Sequence, residues 1–263
     1  MPKTQASKEP KILFWDVENS HNIVATFNLF KAFIPHDNIL QHWFMFCASW
    51  KWAGKDKVHT VSLLDDPLRF KEDHTDDYYV IAKIHEALSE ADAVVAHNGD
   101  RFDMKKFNAR AIQHGFQPIP EVIQIDTLKI AKAKFNFNYN KLDFLGEYLG
   151  VGKKIKTDNE LWLRCLRGER KALKEMLHYN KQDVVVLEKV YDKLKPYVPA
   201  KVNFNLFKST GTQVCPSCGG NHTHRSGIRR TRTREYYRYQ CQGCGHWFKS
   251  IDAKDVKSTS KIS

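Results

Sequence analysis

Apolar and polar positions along this chain follow two periods, and the switch from one to the other marks out its elements. Ile12 to Trp15 is a continuous apolar run that predicts a buried strand ending near Trp15, with Asp16 and Glu18 just past it. Residues 39–52, dense in Trp, Phe and Cys, and residues 57–64 predict two strands joined at 53–56 as a hairpin. An acidic loop over 65–77 leads into 78–89, where Val80, Ile81, Ile84 and Leu88 recur at helical spacing. Residues 91–96 then predict a short strand, 103–114 a helix stopped by Gly115, 121–126 a strand and 127–133 a basic helix. Short helices are expected at 142–149 and 160–166. The longest, 169–194, carries Leu173, Leu177, Val184, Leu187, Val190 and Tyr191 on one face and ends before Pro196. Such alternation implies an α/β fold, a mixed sheet flanked by helices.

Beyond residue 200 the composition changes. Residues 201–263 hold 12 of the 42 basic side chains but only 3 of the 30 acidic ones, so the formal charge of +12 is concentrated there. A basic excess of this kind argues for a polyanionic partner. The expected division is a flexible tail at 1–9, a large domain at 10–200, a linker at 201–210, a small β domain at 211–250 and a second tail at 251–263. No apolar stretch reaches the length of a membrane span, and residues 1–10 lack the hydrophobic segment of a signal peptide. The expectation is a soluble, cytoplasmic protein without a membrane partner.

Four of the six cysteines form two Cys-x-x-Cys pairs, Cys215 with Cys218 and Cys241 with Cys244, while Cys47 and Cys165 stand alone. Four thiolates offered from two tight turns suit one tetrahedral Zn²⁺ better than a disulfide framework, with His222, His224 or His246 as substitute ligands. The region resembles the zinc ribbon family. Between the knuckles Arg225, Arg229, Arg230, Arg232, Arg234 and Arg238 mingle with Tyr236, Tyr237 and Tyr239. Strand alternation would put Arg230, Arg232 and Arg234 on one face, a row suited to phosphate contact with stacking beside it.

Three acidic motifs occupy the large domain. Asp16 and Glu18, two residues apart on a strand, point to the same side, and two like charges so placed call for a cation between them. In His97-Asn98-Gly99-Asp100-Arg101-Phe102-Asp103, Gly99 permits a close turn, Phe102 would anchor that turn in the core and Asp103 would face the cleft. Tyr179 and Asp183 lie one helical turn apart beside the core stripe. Each motif has an ordinary structural reading taken alone: a solvated strand end, a helix cap, a packed tyrosine bonded to its neighbour.

Together they resemble the DnaQ-like 3′–5′ exonucleases of the ribonuclease H-like superfamily, in the subclass with four acids and a tyrosine. Asp-x-Glu matches Asp16 and Glu18, Asn-x-x-x-Phe-Asp matches Asn98, Phe102 and Asp103, and Tyr-x-x-x-Asp matches Tyr179 and Asp183, over roughly residues 10–195. Asn19-Ser20-His21 departs from the small hydroxyl residues usual after the first motif. No polymerase region accompanies the motifs, so proofreading in cis is not expected.

The resemblance implies two Mg²⁺ or Mn²⁺ ions, Asp16 bridging them, Glu18 and Asp183 completing the first site and Asp103 serving the second. It implies that Tyr179 orients the attacking water and that a nucleoside 5′-monophosphate leaves from a single-stranded or frayed 3′ end. Asn98, Phe102 and Lys105 are candidate substrate contacts. Lys105, Lys106 and Arg110 form either a phosphate-facing or an ordinary solvated helix face, and Trp43, Trp50, Trp52 and Tyr139 could stack on bases, although packing in the core or the hairpin is favoured for most of these aromatics. Arg229, Arg230, Arg232, Arg234, Tyr236, Tyr237 and Arg238 are the candidate contacts of the ribbon. DNA is favoured over RNA as the partner, and the ribbon could also dock replication or repair proteins. The alternatives are an exoribonuclease and a non-catalytic nucleic-acid-binding scaffold.

Overall fold

A computed structural model describes residues 10–27, 30, 33–153, 155, 157–198, 214–232 and 234–255, with 251–255 described as backbone only. The central strand, β1 (Ile12–Asn19), runs past the expected end at Trp15, so both acids lie within it. The strand expected over 39–52 is two. A short β2 (Ile23–Val24) pairs with β3 (Ile39–Gln41), and β4 (Met45–Trp52) joins the main sheet. Ser20 Oγ accepts the Phe44 N–H at 2.8 Å and Asn22 Oδ1 accepts that of Trp43 at 2.9 Å, which fastens the chain where β3 gives way to β4.

β4 and β5 (Val58–Ser62) form the expected hairpin. The acidic loop contains an unexpected helix, α1 (Pro67–Glu72), which has Pro67 in its first turn and an Asp66 cap on the Arg69 N–H. It is too short for a periodic stripe to register. The chain continues through α2 (Tyr78–Glu90), β6 (Ala93–Ala96), α3 (Asp103–Gln113), β7 (Ile123–Asp126), α4 (Thr127–Lys134), α5 (Leu142–Tyr148), α6 (Asn159–Leu166) and α7 (Arg170–Leu194). The five-stranded sheet has the order β5-β4-β1-β6-β7, with β4 antiparallel and β6 parallel to β1.

The two faces of β1 have different partners. Leu13, Trp15 and Val17 belong to the apolar cluster that includes Val80, Ile81 and Ile84 of α2 and Phe107 of α3. Phe14 packs instead with Val184, Leu187 and Val190 of α7 and meets Tyr191 edge-on at 5.4 Å between ring centroids. Period two then puts Asp16 and Glu18 on this α7 side, beyond the apolar Phe14. No Gly or Pro interrupts α7 over its 25 residues, and its Glu188 forms an ion pair with Lys51 of β4. α5 crosses α7 closely at Gly146, where a Cβ would come within 2.9 Å of both Val186 Cγ1 and the Gly152 carbonyl.

The C-terminal strands β8 (Thr223–Arg230), β9 (Arg234–Cys241) and β10 (Trp247–Asp255) form a separate antiparallel sheet, and β10 runs beyond the boundary expected at 250. Its knuckles rest on the end of α7: Ser217 Oγ donates to the Lys195 carbonyl and His246 Nδ1 to the Pro196 carbonyl, each at 2.6 Å. The Lys195 carbonyl also accepts the Val198 N–H at 3.2 Å, in a single turn of 3-10 helix that follows α7. The expected linker and most of both tails lie outside the described residues. Among the described residues no helix is long and apolar enough to cross a membrane.

Candidate active site and metal centres

β6 pairs with β1 only as far as Phe14, so beyond that point one edge of β1 lies open at the carboxyl ends of the two strands. Ligands of open α/β sheets bind in such crevices. Asp16 and Glu18 project here from β1, and α7 brings in Tyr179, Asn180 and Asp183 from the other end of the sequence. One carboxylate oxygen from each of Asp16, Glu18 and Asp183 lies within 4.8 Å of the others. Three hard oxygen donors so close repel one another, and a divalent cation between them removes that repulsion. The donor set suits Mg²⁺ or Mn²⁺.

Asp103 stands just outside this group. Its carboxylate accepts the backbone N–H of Val17, between the two acids of β1, and its own backbone N–H. Burial pushes the Asp103 carboxyl up to about 7; the two backbone donors lower it, and the nearby charge of Asp126 raises it. The side chain is thus poised between its acid and its anion near neutral pH.

The turn before Asp103 is tightly made. Asn98 adopts φ 70°, a left-handed conformation that Asn tolerates. A Cβ on Gly99 would fall 2.3 Å from that of Ala96, so the position admits only glycine without rearrangement. Phe102 is not the expected core anchor: it is 45 % exposed. The glycine contact already secures the turn, which leaves the ring free to face solvent. Lys106 Nζ lies 3.5 Å from the Trp43 ring centroid and 5.5 Å from that of Phe102, and partial burial lowers its basicity. Lys105 is exposed. Arg110 faces no phosphate, because it is buried and paired with Asp77, which also accepts from His114 and from the Met45 N–H.

Three contributors were not legible as site residues in the sequence. Asn180, fully buried between Tyr179 and Asp183, donates through Nδ2 to Asp16 Oδ2 at 2.7 Å. Its place one residue after the motif tyrosine and three before the acid was the available signal. Asp126 ends β7, caps α4 through Leu128 and Lys129, and accepts the Asn98 N–H at 2.9 Å, tying β7 to the second motif. His97 lines the cleft, with Nδ1 2.9 Å from Thr127 Oγ1 and Nε2 donating to the Asn140 carbonyl at 2.8 Å. Tyr179 is buried and meets Trp162 edge-on at 5.9 Å. Trp50 and Trp52 pack against the core, as does most of the tryptophan cluster.

The second centre is made by Cys215, Cys218, Cys241 and Cys244, whose sulfurs all lie within 4.8 Å. The contacts Cys215–Cys244 and Cys218–Cys241 measure 3.7 and 3.6 Å. A tetrahedron with Zn–S bonds of about 2.3 Å has edges of about 3.8 Å, whereas a disulfide would draw a pair to about 2.05 Å. The four thiols fit zinc. His246 is committed to Pro196, and burial pushes the lone thiols up, that of Cys165 to about 12.

The arginines of the ribbon do not form the expected row. Residues after Arg230 turn, with Thr231 Oγ1 3.0 Å from both the amide and the carbonyl of Arg234, and the turn breaks strand alternation. Arg230 pairs with Glu235 across the hairpin at 2.6 Å, on the face opposite Arg234. Register instead places Arg229, Tyr236, Arg238, Trp247 and Lys249 on one outward face.

A search among curated proteins finds no match. Among solved structures, the family B DNA polymerase from the hyperthermophilic archaeon Pyrobaculum calidifontis is similar in fold, with a TM-score of 0.51 at 13% identity. The alignment covers 85% of this chain and 31% of the polymerase, so the chain spans under a third of that protein's length. The family model RNase_H_2, described as RNase_H superfamily, matches residues 53–195, from the hairpin after β4 to the end of α7 and thus more than half of the 263 residues. Asp16 and Glu18 precede the matched segment but sit on the central strand of its sheet, and by this match the chain belongs to the RNase_H superfamily.

Proposed function

We propose that this chain is a metal-dependent 3′–5′ exonuclease of the subclass with four acids and a tyrosine, acting on single-stranded or frayed DNA. The observation that carries this reading is the convergence of Asp16, Glu18 and Asp183, from two elements far apart in sequence, within 4.8 Å. Two bound divalent cations would supply charge for the developing oxyanions and a nucleophilic water at neutral pH. Asp16, Glu18 and Asp183 would hold the first and Asp103 the second, once its carboxyl gives up its proton.

Tyr179, with a hydroxyl whose reference pKa is near 10, serves as an orienting group rather than as the base. It lines the same cleft as Asp16 and Asp183, where it can direct the attacking water. Phe102, exposed beside Lys106 and Trp43, offers a ring to the terminal bases, and Asn98 offers an amide. The ribbon adds affinity through its basic, aromatic face. DNA is preferred to RNA because the three motifs resemble those of polymerase proofreading domains.

The test is to incubate the full chain with 5′-labelled single-stranded DNA, duplexes with either overhang, and RNA, with and without Mn²⁺. Shortening from the 3′ end by single nucleotides, abolished in Asp183→Asn, is expected. Metal-independent products, or equal rates in Asp183→Asn, would overturn the reading.

A further inference from the structure

The cleft extends well beyond the acids. It has a volume of about 1130 Å³ and runs from Asp16, Tyr179 and Asp183 to Lys132, Asn138 and Tyr139. From there an aromatic row leads to the end of α7: Phe137 stacks on Phe135 at 4.9 Å, and Phe135 meets Tyr197 edge-on at 4.7 Å. Lys132 and Lys134 lie exposed along it, and Tyr197 is 48 % exposed. Tyr197 adjoins Pro196, whose carbonyl is held by His246 of the ribbon. An aromatic path therefore leads from beside the cleft to the turn after α7, on which the ribbon rests.

The outward face of the ribbon is built for a strand rather than a groove. Arg238 lies over the Trp247 ring at 5.0 Å and Lys249 over Tyr236 at 4.0 Å, while Arg229 pairs in register with Tyr236. Trp247 is 46 % exposed, and Glu235, the acid of β9, points to the other face. Rings interleaved with cations bind single strands of any sequence by stacking and phosphate contact, which paired bases cannot offer.

The geometry points to two grips on one single-stranded nucleic acid: the acid cleft and the Arg229, Tyr236, Arg238, Trp247, Lys249 face, held at a fixed separation by α7. From Asp183 to Lys195 the helix rises about 18 Å, at about 1.5 Å per residue. At about 3.4 Å per stacked nucleotide this span takes about five nucleotides, so shorter strands reach one grip only. Selection by strand length follows. The catalytic role of the cleft rests on the exonuclease reading above, whereas the two-grip binding does not.

The test uses the full chain with fluorescent oligothymidylates from about three to about sixteen nucleotides, a range that brackets the span. Anisotropy is read in Ca²⁺, and turnover in Mn²⁺. Affinity should rise steeply once strands exceed about five nucleotides and then level off. The Arg238→Glu, Lys249→Glu double variant, with zinc content checked, should lose about tenfold or more on long strands and nothing on the shortest. Ser217→Ala with His246→Leu, which frees the ribbon from α7, should blur the break. An unchanged break in the charge-reversal variant, an equal loss at every length, no break in the parent protein, or equal affinity for a blunt duplex would each overturn the proposal. A clear break without any hydrolysis would sink the exonuclease reading and leave the two grips standing.

Discussion

Asn180 donates a hydrogen bond of 2.7 Å to Asp16, joining the longest helix to the central strand inside the acid cluster. Phe14 and Tyr191 meet farther along the same two elements, so β1 and α7 are registered by one apolar and one polar contact. A hydrogen bond to a carboxylate contributes about 1.5–3 kcal/mol when buried. Here it restrains the rotamer of Asp16 beside Glu18 and Asp183.

Asn180→Ala should therefore weaken Mn²⁺ binding and turnover by about 10- to 100-fold while leaving KM for long strands nearly unchanged. Titration calorimetry with Mn²⁺ separates this from a loss of fold. Asn180→Asp adds a carboxylate to the cluster and should bind Mn²⁺ at least as tightly as the parent. If both variants bind metal as the parent does, Asn180 is only a packing residue.

Asp103 makes the metal-free protein sensitive to pH. Its carboxyl ordinarily titrates at 3.8 and burial lifts it to about 7. Below the unfolded value both states are protonated and the protonated native form keeps its full stability. As pH rises from about 4 to about 7 the unfolded chain ionises first, so native stability falls, and it levels off once Asp103 ionises in the fold as well. The melting temperature of the metal-free protein should decline across this window, less so in Asp103→Asn. Mn²⁺ binding below pH 7 should release protons, measurable in buffers of different ionisation enthalpy, and the same release from Asp103→Asn would refute this assignment.

How far the sequence reveals the site depends on the range of the signal. Asp16 and Glu18 share a face by strand period alone, and Tyr179 and Asp183 by helical period, so each pair is legible locally. The meeting of β1 with α7 is not local. It follows from Phe14 and the stripe from Val184 to Tyr191 burying one another, and Asn180 becomes visible only in that register. Phe102 and Arg110 show the opposite failure. Both sit beside motif residues, but the contact at Gly99 replaces the anchor assigned to Phe102, and Asp77, distant in sequence, claims Arg110. In the ribbon, simple alternation assumes one strand from Arg230 to Arg234, whereas Thr231 closes a turn on Arg234, so Arg230 and Arg234 face opposite ways.

The Asp77 cluster gives a prediction about stability alone. Asp77 is fully buried and accepts from Arg110, His114 and the Met45 N–H. Removing the carboxylate strands a buried guanidinium, at a cost of about 3–5 kcal/mol. Asp77→Ala should lower the urea midpoint accordingly, and Arg110→Met in the same chain should restore much of the loss. Mn²⁺ affinity of the folded fraction should not change, since none of these groups reaches the acid cluster.

Zinc should matter to both halves of the molecule. The sulfur contacts of 3.6 and 3.7 Å match the edges of a zinc tetrahedron, so the purified chain is expected to carry one equivalent by elemental analysis. Ser217 and His246, which hold the carbonyls of Lys195 and Pro196, are placed by the knuckles on either side of that metal. Losing the metal therefore releases the turn that follows α7, the helix that also carries Tyr179 and Asp183. Cys241→Ser should lose the zinc and lower the melting temperature of the large domain as well, followed through the near-ultraviolet signal of its tryptophans. A variant without zinc whose large domain melts as before would show that the ribbon and α7 touch without supporting one another.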